Sequence, residues 1–220
     1  MPSALKASLL IEYPLLSPGD QMGREEFLKR WYLMPGRKFV ELIDGVVYMP
    51  SPLSQPHAKC DSFVHAWLFH YSERVQGCEL LPNATWRMGP KSAPQPDLSL
   101  RRLQPVGGRS SIEDGLMSGI PELAVEICLS SRSYDLGPKR LLYQSAGVPE
   151  YLAVLVEDRR IEWRILDNGR YRLMKVHKDG TFRSQIFPGL WLDIKEFWRL
   201  DWPAMLATLE RGLAAAAESK

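Results

Sequence analysis

Cysteine is scarce in this chain, with only Cys60, Cys78 and Cys128 among 220 residues. A small and odd number of cysteines does not support a disulfide framework, so we expect a reducing, cytoplasmic location. No stretch reaches the roughly 18 apolar residues of a membrane span. The N-terminal stretch, interrupted by Glu12 and Pro14, lacks the apolar run and cleavage site of a signal peptide. These absences predict a cytoplasmic protein without membrane contact.

The chain also lacks a strong charge excess and the common phosphate-binding motifs. Its 28 basic and 26 acidic side chains leave a net charge of +2, which neither predicts nor excludes nucleic-acid binding. There is no Walker-type glycine-rich loop and no dinucleotide fingerprint. No repeat with a period of about 20–50 residues is present. The length fits one domain with appendages.

Hydrophobic periodicity and turn signals predict a mixed α/β domain with extra hairpins. Hairpins are expected at Asp44-Gly45 and Asn168-Gly169, because these dipeptides favour two-residue turns. The polar, glycine-rich segment 101–121 is predicted to be a mobile loop. Helices are predicted at 22–33, 55–75, 134–146 and 202–217, and strands at 79–88, 97–101, 121–128, 150–157, 160–166, 170–177 and near 181–193.

A carboxylate interrupts the predicted buried strand PELAVEICLSS, at 121–131. Strand alternation places Glu126 on one face with Ala124 and Cys128, whose small side chains leave room beside it. An ionised carboxylate removed from water carries a penalty of several kcal/mol unless something compensates it. We therefore expect a metal ion, another cation or a partner carboxylate beside Glu126.

Asp97, in the segment PQPDLSLRR, is the candidate partner of Glu126. Neighbouring strands lie about 4.8 Å apart, so an aspartate at a strand mouth can meet a glutamate in the next strand. Two carboxylates at about 4 Å repel by about 4 kcal/mol at an effective dielectric of about 20, so a positive charge is needed between them. Mg²⁺ and Mn²⁺ prefer such oxygen ligands.

Lys139, with Tyr143 on the same helix face, could orient or deprotonate a water, or stabilise charge on phosphorus oxygens.

Several segments together resemble the Uma2 family of restriction-endonuclease-like proteins, within the PD-(D/E)XK nuclease superfamily. They occur in the family's order across residues 24–197. They are ELIDGVVYMPSP, His57, PDLSL, PELAVEICLSS, KRLLYQSAGVPEYLAV and FPGLWLDI. The resemblance implies a restriction-endonuclease-like core at 22–200, with an irregular arm at 1–21 and a C-terminal helix at 201–220. It also implies metal-dependent hydrolysis of DNA phosphodiester bonds with Mg²⁺ or Mn²⁺.

The resemblance also implies a role for individual residues. Asp97 and Glu126 match the metal-binding acids, and the main-chain carbonyl of Ile127 would add a ligand. The superfamily's lysine position holds Cys128, but the family's lysine comes from the next helix, which matches Lys139.

Three further positions are auxiliary candidates. Glu41 matches an acidic position of the family. His57, near a helix start, could contact a phosphate, and Tyr143 is either a core tyrosine or a residue of the site. His57 and Cys60 have a His-x-x-Cys spacing, but no two further ligands follow at a recognised zinc spacing.

Partners and alternatives complete the predictions. Arg101, Arg102 and Arg109 are the candidate contacts to the DNA backbone, against the simpler interpretation of a solvated surface. A homodimer is expected, because cutting both strands of a duplex needs two sites and the alanine-rich last helix offers a packing face. The alternatives are a non-catalytic nucleic-acid-binding module, a regulatory protein whose acids pair with a lysine, and a hydrolase acting on another phosphodiester such as RNA.

Overall fold

The computed structural model describes residues 14–34, 36, 39–49 and 54–218. Within them the helices are α1 Arg24–Leu33, α2 Gln55–Arg74, α3 Arg132–Tyr134, α4 Arg140–Ala146, α5 Ile194–Arg199 and α6 Trp202–Glu218. The strands are β1 Glu41–Ile43, β2 Val46–Tyr48, β3 Cys78–Pro82, β4 Trp86–Arg87, β5 Leu98–Arg102, β6 Ser111–Glu113, β7 Leu116–Ser118, β8 Leu123–Cys128, β9 Glu150–Leu155, β10 Arg160–Asp167, β11 Arg170–Leu173, β12 Thr181–Arg183 and β13 Trp191–Asp193. The predicted α/β class is therefore confirmed.

A six-stranded mixed sheet in the order β11-β10-β9-β8-β5-β3 forms the centre of the molecule. Strands β8 and β9 are parallel, and the other neighbouring pairs in this sheet are antiparallel. All six residues of β8 and all six of β9 are buried, as expected of strands covered on both faces. The candidate site is built from the middle of this sheet.

The two faces of β8 follow the predicted alternation. Leu123, Val125 and Ile127 join the main core, which α2 covers with side chains such as Trp67 and Leu68. On the other face, Ala124 and Cys128 belong to a second core that includes Tyr143 of α4. The sheet is thus flanked by helices on both sides, and Glu126 points to the face that the second core covers.

Two predictions about loops and strands were wrong. The predicted strand 79–88 is divided into β3 and β4, because Asn83 between them has a positive φ of 50°, a conformation that asparagine tolerates. The predicted mobile loop 101–121 contains a 3₁₀ turn at Gln104–Val106 and the hairpin β6–β7. That hairpin turns at Asp114-Gly115, where both residues have positive φ, and β7 pairs in parallel with β4.

The helix predicted at 134–146 begins earlier and is not uniform. After α3 comes a π-helical segment, Asp135–Lys139, which continues into α4. Pro138 lies inside this segment and has no N–H to donate to the preceding turn, so a regular α-helical ladder cannot continue through it. The wider turn presents both Asp135 and Lys139 to the interior, where both are buried. Single π-helical turns of this kind are frequent at functional sites.

The C-terminal helix packs on the same core as the sheet. Met205 and Leu209 of α6 belong to the main core together with Phe197 of α5. Most of the predicted N-terminal arm, residues 1–13, lies outside the described residues, but Leu16 is buried in a third core with Phe27 of α1. No helix in the described part of the chain combines the length and apolar character that crossing a membrane requires.

Candidate active site

Asp97 and Glu126 meet across the sheet, as the sequence predicts. The antiparallel register pairs Leu98 of β5 with Val125 of β8, and its next step brings Asp97 opposite Glu126. Asp97 Oδ2 accepts a hydrogen bond from the main-chain N–H of Ile127 at 2.6 Å, which fixes its carboxylate at the edge of β8. Asp97 keeps a side-chain exposure of 24%, whereas that of Glu126 is only 3%. A solvent-facing acid thus borders a buried one.

Glu126 has two direct partners on one oxygen. Lys139 Nζ lies 2.7 Å from its Oε1, and the Tyr143 hydroxyl donates to the same atom at 2.7 Å. Lys139 is the buried cation that the burial of Glu126 requires, and Tyr143 of α4 lies on the side of the helix that faces the sheet. The structure therefore brings Glu126, Lys139 and Tyr143 into direct contact, and the strand and helix patterns had identified all three.

Glu41 enters the same cluster from the hairpin β1–β2. Its Oε1 and Oε2 lie 3.0 Å and 3.3 Å from Lys139 Nζ. The main-chain N–H of Gln95 donates to Glu41 Oε1 at 2.6 Å, and a β-bridge between Leu42 and Ala93 ties the hairpin to the segment before Asp97. Lys139 thus forms ion pairs with both Glu41 and Glu126, which are 85 positions apart in the chain.

The charges of this cluster shift one another's titration. Burial raises the pKa of Glu126 well above its usual range, although the Lys139 ammonium opposes this shift. Burial by itself would lower the pKa of Lys139, but the carboxylates of Glu126 and Glu41 outweigh it and raise that pKa well above its usual range. Lys139 is consequently an ammonium ion near neutral pH, which makes it a source of positive charge rather than a base.

His57 of α2 lies beside Asp97. Its Nε2 is 3.7 Å from Asp97 Oδ2, and this contact raises the pKa of the imidazole, against the opposing effect of burial. Asp61, one helical turn along α2, also faces this region, and burial together with the Asp97 charge raises its pKa. Among the described residues, Nδ1 of His57 has no hydrogen-bond partner. His57 therefore borders the acid cluster without touching Glu126.

Comparison with known proteins identifies the family of this chain. A family model named Uma2, with the description "Putative restriction endonuclease", matches residues 24–195. The chain belongs to the Uma2 family. Among solved structures it is similar to "a putative nuclease belonging to DUF820 from Anabaena variabilis", at 14% identity and a TM-score of 0.66 over 81% of this chain and 98% of that chain. At this identity the similarity shows the fold. No curated protein matches the chain.

Two residues of the candidate site in this Uma2 chain were not predicted from the sequence. Asp135 is 2% exposed, accepts a hydrogen bond from the Ser131 hydroxyl, and has its pKa raised to about 6, chiefly by burial. Tyr134 lies with its ring centroid 5.8 Å from Lys139 Nζ. The Asp135/Lys139 spacing of four residues was visible in the segment SYDLGPK, and it is the signal that would have found Asp135.

The donor set fits a hard divalent cation in its chemistry. Asp97 and Glu126 offer carboxylate oxygens, and Mg²⁺ is typically held by one or two carboxylates while it keeps several waters. In the described ranges, no three His, Cys, Asp or Glu side chains form a metal-binding group, which also leaves the His57–Cys60 spacing without a zinc site. The two acids would thus need waters or substrate oxygens to complete the coordination of an ion.

The three predicted DNA-binding arginines differ in their surroundings. Arg101 is 7% exposed, and its Nε donates to Glu79 Oε2 at 2.6 Å, so its guanidinium has a structural partner in the sheet. Arg102 is half-buried, donates to the carbonyl of Ile186, and lies over the ring of Phe187. Arg109 is exposed and donates to the Gly147 carbonyl at 3.5 Å, which makes it the most accessible of the three.

Proposed function

We propose that this protein is an endonuclease that hydrolyses DNA phosphodiester bonds with Mg²⁺ or Mn²⁺. The observation that supports this function is the placement of Asp97 opposite Glu126 with Lys139 Nζ 2.7 Å from Glu126. The description of the matching family as restriction endonucleases agrees with this arrangement. The buried charge of Glu126 costs several kcal/mol when it is removed from water, and Lys139 compensates it.

In this proposal Asp97, Glu126 and the main-chain carbonyl of Ile127 hold the cation. When bound, the cation neutralises the acids and polarises the phosphodiester. The chain already restrains both carboxylates. The Ile127 N–H holds Asp97 at 2.6 Å, and the Tyr143 hydroxyl holds Glu126 at 2.7 Å. Glu41 acts as an auxiliary acid that shares Lys139 with Glu126.

The role of Lys139 in this proposal follows from its protonation state. The carboxylates of Glu126 and Glu41 raise the pKa of Lys139, so its amine carries a positive charge. This ammonium would orient the scissile phosphate and stabilise the negative charge that builds on its oxygens. Preorganised charge of this kind is typically the largest single contribution to catalysis in a site shielded from water.

DNA and a second copy of the chain are the proposed partners. Exposed Arg109 would contact the phosphate backbone, which would make binding salt-sensitive and independent of sequence. A homodimer would supply the two sites that cleavage of both strands needs. His57, next to Asp97, is placed to contact a phosphate at the rim of the site.

One observation favours a second candidate function, a non-catalytic nucleic-acid-binding or regulatory protein that retains the nuclease fold. Lys139 lies between Glu126 and Glu41 and compensates the charge of both acids. In this alternative the cluster is a structural ion-pair network, and it should bind no divalent cation. Metal affinity therefore distinguishes the two functions.

Cleavage of supercoiled plasmid by the purified protein tests the proposal, with Mg²⁺, Mn²⁺ or EDTA. Asp97→Ala and Lys139→Ala are the test variants, and Asp97→Asn preserves the shape of the aspartate. Asp167→Asn is the matched control, because this acid lies in the β10–β11 hairpin and pairs with Arg172 at 3.1 Å.

Metal-dependent cleavage that the site variants lose and Asp167→Asn retains would support the nuclease. Metal binding by calorimetry without DNA cleavage would keep the metal site and point to another phosphodiester, with RNA tested next. Neither cleavage nor metal binding would overturn the proposal in favour of the non-catalytic protein.

A further inference from the structure

Tyr134 is partly buried, and it differs from the tyrosines of the cores in that its hydroxyl lacks a hydrogen-bond partner. Four tyrosines of the cores donate to a defined acceptor at 2.7–3.0 Å, namely Tyr71 to Pro188, Tyr143 to Glu126, Tyr151 to Asp135 and Tyr171 to Val148. The hydroxyl of Tyr134 is buried but has no hydrogen-bond partner among the described residues. An unmet buried donor lowers stability, so this exception requires a reason.

The ring of Tyr134 is held in place from two sides. Tyr48 of β2 packs against it with ring centroids 4.1 Å apart, and Lys139 Nζ lies 5.8 Å from its centroid. Tyr48 is the direct strand partner of Glu41, so both side chains leave the hairpin on the same face. The hairpin therefore positions Glu41 at Lys139 and Tyr48 at Tyr134.

The phenol remains a proton donor in these surroundings. Burial raises its pKa, and the nearby charges of Glu41 and Glu126 raise it further. Neither carboxylate accepts a hydrogen bond from it, and its oxygen is shielded from bulk water. An acceptor on a bound molecule would therefore satisfy a donor that the described residues leave unpaired.

We propose that Tyr134 contacts the substrate, donating a hydrogen bond to a non-bridging oxygen of the phosphodiester that binds beside Lys139. This inference rests on the proposed nuclease function. A phosphate is the fitting ligand class, because its charged oxygens accept from both an ammonium and a phenol. Tyr48 acts as a positioning residue, since it touches Tyr134 rather than the phosphate.

The test uses the full-length chain and compares Tyr134→Phe with Tyr171→Phe. Each variant keeps the ring and removes one hydroxyl, but Tyr171 donates to the Val148 carbonyl at 2.9 Å and lies outside the site. We would measure the thermal midpoint, plasmid cleavage with Mg²⁺, and the affinity for a short DNA duplex with Ca²⁺ in place of Mg²⁺. The duplex affinity is a readout besides turnover.

Tyr134→Phe should keep or raise the midpoint, because an unmet buried donor is removed. It should lower kcat/KM by about 10- to 100-fold and weaken duplex binding, as expected for the loss of a hydrogen bond to a charged group. Tyr171→Phe should show the opposite pattern, with a midpoint lower by about 2–4 °C and wild-type kcat/KM.

Three outcomes would overturn the inference. Wild-type cleavage and binding by Tyr134→Phe would mean that the hydroxyl does not contact the substrate, while the nuclease function would stand. A fall in the midpoint like that of Tyr171→Phe would mean that the hydroxyl has a structural partner. If the wild-type protein neither cleaves nor binds nucleic acid, the nuclease function fails, and the role of Tyr134 falls with it.

Discussion

Two buried glutamates on neighbouring strands of one sheet show two ways to compensate a carboxylate. Glu150, at the start of β9, is fully buried and accepts hydrogen bonds from Trp163 Nε1, Ser184 Oγ and the main-chain N–H groups of Gln185 and Ile186, at 2.7–3.2 Å. No cation is among these partners. Glu126, in the middle of β8, depends on the ammonium of Lys139 and one phenol.

The difference teaches how to separate a structural acid from a functional one. The partners of Glu150 are neutral, and together they fix the segment 184–186 on the main-core face of the sheet. One of the two partners of Glu126 is charged, and this Lys139 is shared with Glu41, so each group depends on the others. Around Glu126 the structure also leaves a buried hydroxyl of Tyr134 without a partner. Around Glu126, shared charge and an unmet donor therefore occur in one buried cluster.

The largest expected effect comes from removing the shared cation. Lys139→Met should lower the free energy of unfolding by about 3–5 kcal/mol, because Glu126 and Glu41 are left buried without a positive charge. Adding Glu126→Gln to this variant should restore part of the stability but no DNA cleavage. Urea unfolding would measure both changes. Equal stability of Lys139→Met and the wild type would show that the ammonium does not hold the cluster together.

A crossed pair of substitutions tests the comparison itself. Glu150→Gln places an amide N–H₂ group among four donors, and it should lower the free energy of unfolding by about 2–3 kcal/mol while the folded fraction cleaves normally. Glu126→Gln should abolish cleavage, with a smaller loss of stability because Lys139 keeps Glu41. Urea titrations alongside plasmid assays at equal folded concentration would measure this pattern. The opposite assignment of effects would refute the distinction between the two acids.

The comparison also shows which parts of the molecule could be read from the sequence. Asp44-Gly45 and Asp114-Gly115 carry the same hairpin signal and the same positive-φ turn, but only the first was recognised, because the polar residues around the second suggested a loop. Asp97, Glu126 and Lys139 could be predicted, since strand alternation and motif order identify them. The burial of Arg101 could not be predicted, because the pairing of β3 with β5 brings Arg101 next to Glu79.

The raised pKa of Asp135 predicts how stability changes with pH. Burial raises the pKa of Asp135 to about 6 from an ordinary value of 3.8. Between about pH 4 and 6 the folded protein therefore binds more protons than the unfolded chain. Asp135 consequently lowers the free energy of unfolding as the pH rises through this range, by about 3 kcal/mol in total. Urea midpoints from pH 4 to 7 should decline less in Asp135→Asn than in the wild type. Parallel profiles would contradict the raised pKa.

The smallest expected effect concerns DNA binding, for which exposed Arg109 is compared with buried Arg101. Arg109 is exposed, so Arg109→Ala should leave stability unchanged, weaken binding to a short duplex a few-fold, and reduce the slope of log affinity against log salt by about one. Arg101→Met should instead lower stability without changing that slope, because its guanidinium is buried against Glu79. Fluorescence anisotropy at several salt concentrations would measure the slopes. If Arg101→Met reduced the slope and Arg109→Ala did not, the buried arginine would be the one that reaches the DNA, and the assignment of structural and accessible cations would be reversed.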